Sequence, residues 1–286
     1  MEIGEIIRSI RKGKGLSQKE LSKNIMSRSN LSELESGNYF CSYDKFIYLL
    51  KKLNVSLSEF EEILNNSMFS KEESAIYHFV CAVNSNDHQN ICTTRDVLIK
   101  LQVSSPSQRI SQMILLGDAI IEFLKNGKII HSRKYDSFKK YLSSCDNWGI
   151  YEINLLNNTL FIYPIEDVIS LSQQLIAKCT RYNSEKIEKT KTDIMINTSN
   201  LLIKNKLYKT ALEFSNLGIS YATKNNFLYE KIILEIHTLI AQSAIDNKIY
   251  PTIYDYIKIL EFTGYKDNAK EYLTSFELLM KHRQSS

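Results

Sequence analysis

"LSQKELSKNIMSRSNLSELESGNYF", Leu16 to Phe40, holds two short amphipathic segments back to back, with a glycine closing the second. Ser17 followed three positions later by Glu20 is a capping box, the start signal of a helix. Leu16, Leu21 and Ile25 give that helix one apolar face. After a break at Met26, Ser27 caps a second helix whose inward positions are Leu31 and Leu34, with Gly37 just past its end. Its outer face carries Arg28, Ser29, Asn30, Ser32 and Glu33. A bracing helix, a tight turn and a second helix with a free polar face are the pattern of a helix-turn-helix.

The flanks complete a bundle. Ile3, Ile6, Ile7 and Ile10 recur at helical spacing, and Gly13 and Gly15 end that first helix. "SYDKFIYLLKKLN" gives a fourth helix with Phe46, Leu49, Leu50 and Leu53 inward, and "SLSEFEEILNN" a fifth that begins at Ser56 or Ser58. The polar face of the third helix suits double-stranded DNA. Arginine grips guanine O6/N7, asparagine pairs with adenine, and glutamate accepts from cytosine N4. Ser27, Arg28, Ser29, Asn30, Ser32 and Glu33 are therefore the candidate DNA contacts. Gln18, opening the helix before, meets the phosphate backbone. Residues 1–52 hold ten basic and six acidic side chains, an excess equal to the +4 of the whole chain. A modest excess of this kind favours a polyanion through counterion release.

Beyond residue 65 the chain reads as helix after helix. Only 9 Gly and 3 Pro occur in 286 residues, so an all-α protein is expected, with a DNA-binding domain over 1–65 and a helical repeat domain over 66–286. Candidate helices are 70–84, 88–103, 107–125, 134–145, 147–157, 163–180, 184–205, 207–224, 227–247, 250–263 and 267–282. Short joins between them imply antiparallel pairs stacked as an α-solenoid. "LYKTALEFSNLGISYATKNN" has the small-residue rhythm of a tetratricopeptide helix, with Ala211, Gly218 and Ala222 permitting close approach, although the full repeat consensus is missing. The concave face of a solenoid can hold an extended peptide, which needs partners for its amides. Asn197 and Asn200 supply both donor and acceptor, and Tyr151 and Tyr221 are candidate walls. Taken alone, either asparagine also fits a cap or an interhelical contact. Trp148 reads as a core anchor; Arg181 is either a partner for a peptide carboxylate or, the simpler reading, a surface side chain.

Other chemistry is not signalled. The five cysteines (Cys41, Cys81, Cys92, Cys145, Cys179) form no CxxC pair, and the five histidines show no HExxH spacing, so no metal site, disulfide framework or cofactor is expected. Cys41, in the loop before the fourth helix, is either a packed thiol or a redox-sensitive contact across a dimer. No GxGxxG, GxxxxGK[ST] or GxSxG occurs, which argues against an enzyme. No run approaches the ~20 apolar residues of a membrane span, and "MEIGEIIRSIRKGKG" lacks the apolar core of a signal peptide, so a cytoplasmic protein is expected.

"LSQKELSKNI", "SRSNLSELESG" and the turn between them resemble the phage-repressor-like (XRE) helix-turn-helix family. In that family an arginine of helix one pairs with the glutamate of the Glu-x-Gly step; Arg11 and Glu35 hold those positions, which implies a framework ion pair. The turn lacks the usual glycine and is one residue shorter. "MSRSNLSELESGNYFCSYDKFIYLLKKLNVSLSEF" together with "DNWGIYEINLLNNTLFIY" is similar to the Rgg/MutR family of Gram-positive transcription regulators. That resemblance implies a homodimeric regulator whose C-terminal domain binds a short, re-imported signalling peptide. The competing reading is a helical-repeat protein acting on another protein, with the N-terminal domain as a tether.

Overall fold

A computed structural model describes residues 3–65, 70–85, 87–130, 132–179, 181 and 184–284, and every regular element among them is a helix. The N-terminal bundle consists of α1 (Ile3–Gly13), α2 (Gln18–Ser22), α3 (Arg28–Glu35), α4 (Tyr43–Lys52) and α5 (Leu57–Asn65). Ile6, Ile7, Leu21, Leu31, Leu34, Leu49, Leu50, Leu53 and Phe60 form its core. Helices this short are unstable alone. Burial of such side chains, at ~1.5–3 kcal/mol each, is what holds them.

The caps are those the sequence signals. Ser17 Oγ accepts from the Glu20 N–H at 3.2 Å while Glu20 Oε2 accepts from the Ser17 N–H at 2.7 Å. Ser56 and Glu59 exchange the same two bonds, at 2.7 and 3.1 Å, so α5 is capped at Ser56. In the turn after α2, Asn24 takes the left-handed conformation (φ +67°) that a glycine would ordinarily fill. Asparagine tolerates that region better than other side chains, so the turn forms without glycine.

One glycine in α1 does more than the pattern of isoleucines suggests. A Cβ on Gly4 would lie 1.8 Å from the Leu34 carbonyl oxygen, so α1 and α3 approach backbone to backbone.

The chain divides into two compact units, residues 1–113 and 114–286. This division falls later than residue 65; residues 66–69, at the expected boundary, lie outside the described ones. The first unit adds α6 (Lys71–Asn84), opened by a Ser70–Glu73 capping box, and its neighbour α7 (His88–Ser104). α8 (Gln108–Asn126) carries the chain from one unit to the other.

The second unit continues with α9 (Asp136–Ser144), α10 (Ile150–Thr159), α11 (Ile165–Lys178), α12 (Glu185–Lys204), α13 (Tyr208–Lys224), α14 (Leu228–Asp246), α15 (Thr252–Phe262) and α16 (Lys266–Gln284). α10 begins at Ile150 rather than at the expected 147, because Trp148 is used differently. Its backbone N–H donates to the Lys178 carbonyl at 3.0 Å, and its fully buried indole donates to the Leu142 carbonyl at 3.0 Å. Glu152 then accepts from the Gly149 N–H at 2.9 Å and from Tyr141 Oη at 2.7 Å, which starts the helix.

Cross-links between helices give their directions. Lys189 and Ser199 of α12 meet Glu230 and His237 of α14, and Tyr229 and His237 of α14 meet Asn268 and Tyr272 of α16. The pairings advance together, so α12, α14 and α16 run parallel, with α13 and α15 as the return helices. That is the arrangement of stacked helical-repeat pairs. Gly218 sits where α13 meets its neighbours. A Cβ there would lie 2.8 Å from both δ-carbons of Leu234 and 2.9 Å from Met195 Cβ.

Candidate functional site

α3 presents two opposite faces. Leu31, Leu34 and Glu35 are buried, whereas Arg28, Ser29, Ser32 and Glu33 are exposed, as is Ser27 just ahead of them. Asn30 is half-buried at the edge. At 100° per residue the exposed four form one strip of the helix. Ser27 Oγ accepts from the Asn30 N–H at 3.0 Å and so caps α3. Arg28 makes no ion pair among the described residues and stands free toward solvent.

Behind this face lies a buried charge pair. Arg11 Nε donates to Glu35 Oε1 at 2.6 Å and Arg11 Nη2 to Glu35 Oε2 at 2.8 Å, a two-pronged bond with both side chains almost wholly buried. Arg11 Nη1 also donates to the Leu16 carbonyl at 2.7 Å. Gln18 Nε2 donates to Glu35 Oε2 at 3.0 Å. The glutamine amide thus faces the framework carboxylate, an arrangement sequence reasoning missed because the two residues lie on different helices. Burial alone would raise the Glu35 carboxyl, but the bonds from Arg11 and Gln18 outweigh it and hold it below its ordinary value. One carboxylate therefore ties α1, the start of α2 and the end of α3 together.

In the second unit, the parallel helices α12, α14 and α16 enclose a cavity of about 620 Å³. Its α12 wall is Asp193, Ile196, Asn197, Asn200, Ile203 and Lys204, a single helical stripe. α14 contributes Tyr229, Ile233, His237 and Ile240, and α16 contributes Asn268, Glu271, Tyr272, Leu278 and Leu279. Apolar rings and branches thus alternate with amides, as in sites that hold an oriented ligand. Asn197 Nδ2 donates to Asn157 Oδ1 at 2.9 Å, which sets one amide at the wall. His237 on the floor is hydrogen-bonded through Nδ1 to Ser199 Oγ (2.7 Å) and through Nε2 to Tyr272 Oη (3.1 Å), one ring nitrogen donating and the other accepting. Full burial, helped by the Lys204 ammonium, pushes this imidazole down to about 3, so it is neutral near pH 7.

The expected wall residues divide here. Asn197 and Asn200 line the cavity; Tyr151 and Tyr221 do not. Tyr151 packs edge-on against Tyr141, ring centroids 6.2 Å apart. Tyr221 belongs to the return helix α13, with Lys191 Nζ 5.9 Å from its ring centroid. Which helix of each pair faces inward depends on stacking, and residue type does not report it. Asp193, Tyr229 and Tyr272 were missed for the same reason, although the stripe at 193, 196, 197, 200 and 204 has visible helical spacing.

A helix-turn-helix domain model matches residues 4–66, and the model of the "HTH-type transcriptional regulator Rgg, C-terminal domain" matches residues 95–274, more than half of the chain. The chain belongs to the Rgg family of transcriptional regulators. Solved structures agree in fold. The SHP pheromone receptor Rgg2 of Streptococcus dysgalactiae is 18% identical, covers 96% of this chain and 99% of its own, and superposes with a TM-score of 0.73. The PrgX/iCF10 complex is 16% identical, with 99% and 97% covered and a TM-score of 0.73.

The remaining candidates of this Rgg chain take ordinary places. Trp148 anchors the core between α9 and α11, and Arg181 is exposed. Cys41 is half-buried against the bundle core, and burial pushes its thiol up, which disfavours the reactive thiolate. Among the described residues, no helix of this Rgg protein is long and apolar enough to cross a membrane.

Proposed function

We propose that this Rgg protein is a cytoplasmic, homodimeric regulator that reads an operator through α3 and is controlled by a short apolar peptide held between α12, α14 and α16. Arg28, Ser29, Ser32 and Glu33 reach base edges, with Asn30 at the edge of the same face. Ser27 and the start of α2 at Gln18 lie against phosphate. Residues 1–65 act as the DNA-binding domain and 66–286 as the sensing and dimerisation domain. The observation that carries the reading is the cavity itself, where four asparagines (Asn157, Asn197, Asn200, Asn268) stand among isoleucines, leucines and tyrosines. Such a lining satisfies a peptide backbone and covers apolar side chains together. The relatives point the same way, since one is described as a pheromone receptor and another as a peptide pheromone/receptor complex. Peptide binding shifts the dimer between two states by no more than its differential affinity for them.

Footprinting tests the first half: a two-fold symmetric site with half-sites about one helical turn apart is expected. Arg28→Ala should weaken binding to that site by ~1–3 kcal/mol while leaving random DNA less affected. Equal loss on both would remove Arg28 from base reading. For the second half, synthetic apolar peptides are titrated while DNA release or recruitment is followed. If none binds tighter than about 1 mM, the sensing role is dropped.

A further inference from the structure

The cavity has unlike ends. α12, α14 and α16 run parallel, so each wall can be ordered from its beginning to its end. At the beginning stand Asp193 on α12 and Glu271 on α16. Asp193 has a single described ion-pair partner, Lys189 at 4.0 Å, and Lys189 is itself bonded to Glu230. At the far end stand Lys204, the last residue of α12, and Lys206, both exposed and neither with an anionic partner among the described residues. Apolar walls lie between, with Ile203, Ile240 and Leu279 toward the lysines.

Resting on the peptide reading above, we infer that the cavity takes a linear apolar peptide with both termini free, its ammonium at Asp193 and its carboxylate at Lys204 and Lys206. From Asp193 to Lys204 is eleven residues of helix, about 16 Å at 1.5 Å per residue. An extended chain advances about 3.3 Å per residue, so roughly five residues lie between the charged ends. Burial raises the Asp193 carboxyl against the pull of Lys189, so its charged form gains from an arriving ammonium. The two lysines gain in turn from a carboxylate. A peptide laid the other way would set like charges together at both ends.

The probe is a pool of synthetic peptides of Leu, Ile, Val, Phe and Ala, made three, five and ten residues long. Each length is made with free ends, N-acetylated, or C-amidated. The pools are equilibrated with the full chain, and the retained peptides are quantified by mass spectrometry after ultrafiltration. Free pentapeptides should be retained about fivefold more than the amidated or acetylated forms, the range of a partly exposed ion pair. The double variant Lys204→Met with Lys206→Met should erase the preference for a free carboxylate alone. Asp193→Asn should erase the preference for a free amine alone. Retention that ignores end groups overturns the polarity and leaves the peptide reading standing, and so does exchange of the two variant effects. No retention of any form, by a protein that still binds its operator, overturns both.

Discussion

Gly4→Ala tests how α3 is held. The added methyl would meet the Leu34 carbonyl oxygen at 1.8 Å and its carbon at 2.8 Å. Ordinary contact is about 3.5 Å, so α1 and α3 must part by well over 1 Å. The obstacle is backbone, which no rotamer change can move. In open space alanine would stabilise this helix position by ~1 kcal/mol. Overpacking costs ~1–3 kcal/mol, so a net loss of up to about 2 kcal/mol is expected in the N-terminal bundle. Binding should suffer more than folding, because a shift above 1 Å exceeds the distance window of a hydrogen bond. Losing even one good base contact, at ~1–3 kcal/mol, weakens specific binding by about fivefold to a hundredfold. Fluorescence anisotropy on the footprinted fragment gives the affinity, and circular dichroism through a thermal ramp gives the stability. Gly13→Ala is the control, since a Cβ there meets nothing within 4 Å. If Gly4→Ala gains stability and binds like the parent, the backbone contact does not hold α3 in place.

Arg11→Met leaves Glu35 buried with Gln18 as its remaining side-chain donor and should destabilise the bundle by ~3–5 kcal/mol; adding Glu35→Leu should recover most of that loss, measured by hydrogen exchange in α1 and α3. His237 titrates at about 3 when folded against 6.5 when free, so the unfolded chain binds the extra proton. Stability of the second unit should therefore be complete above pH 6.5 and fall as acid is added toward pH 3, and His237→Gln should flatten that slope in acid-unfolding curves. Trp148→Phe removes the donor to the Leu142 carbonyl and leaves a void, a loss of about 1–3 kcal/mol readable in thermal unfolding.

Local signals carried far in this chain. Ser17 with Glu20 caps α2 where the side chains said it would, because a capping box needs only residues three apart, and the Ser56–Glu59 box decides between the two starts left open for α5. The two faces of α3 follow from spacing alone. Asn24 shows a local rule adjusting itself, as another residue able to enter the left-handed region takes the place of glycine.

The cavity was legible only in part. Asn197 and Asn200 were found because amides amid apolar neighbours stand out on one helix, whereas the opposing Tyr229 and Tyr272 come from other helices, α14 and α16. Tyr221, expected as a wall, lies outside this cavity, and in sequence a tyrosine on α13 looks no different from one on α14. The sequence by itself determined that the chain is helical, where α2 and α3 start, and which strip of α3 faces outward, since all three rest on contacts within a few residues. Tertiary structure alone decided that Gly4 touches α3, that Gln18 turns to Glu35, and that α12, α14 and α16 share one groove. Those depend on how distant helices stack, and stacking is set by the fit of whole surfaces.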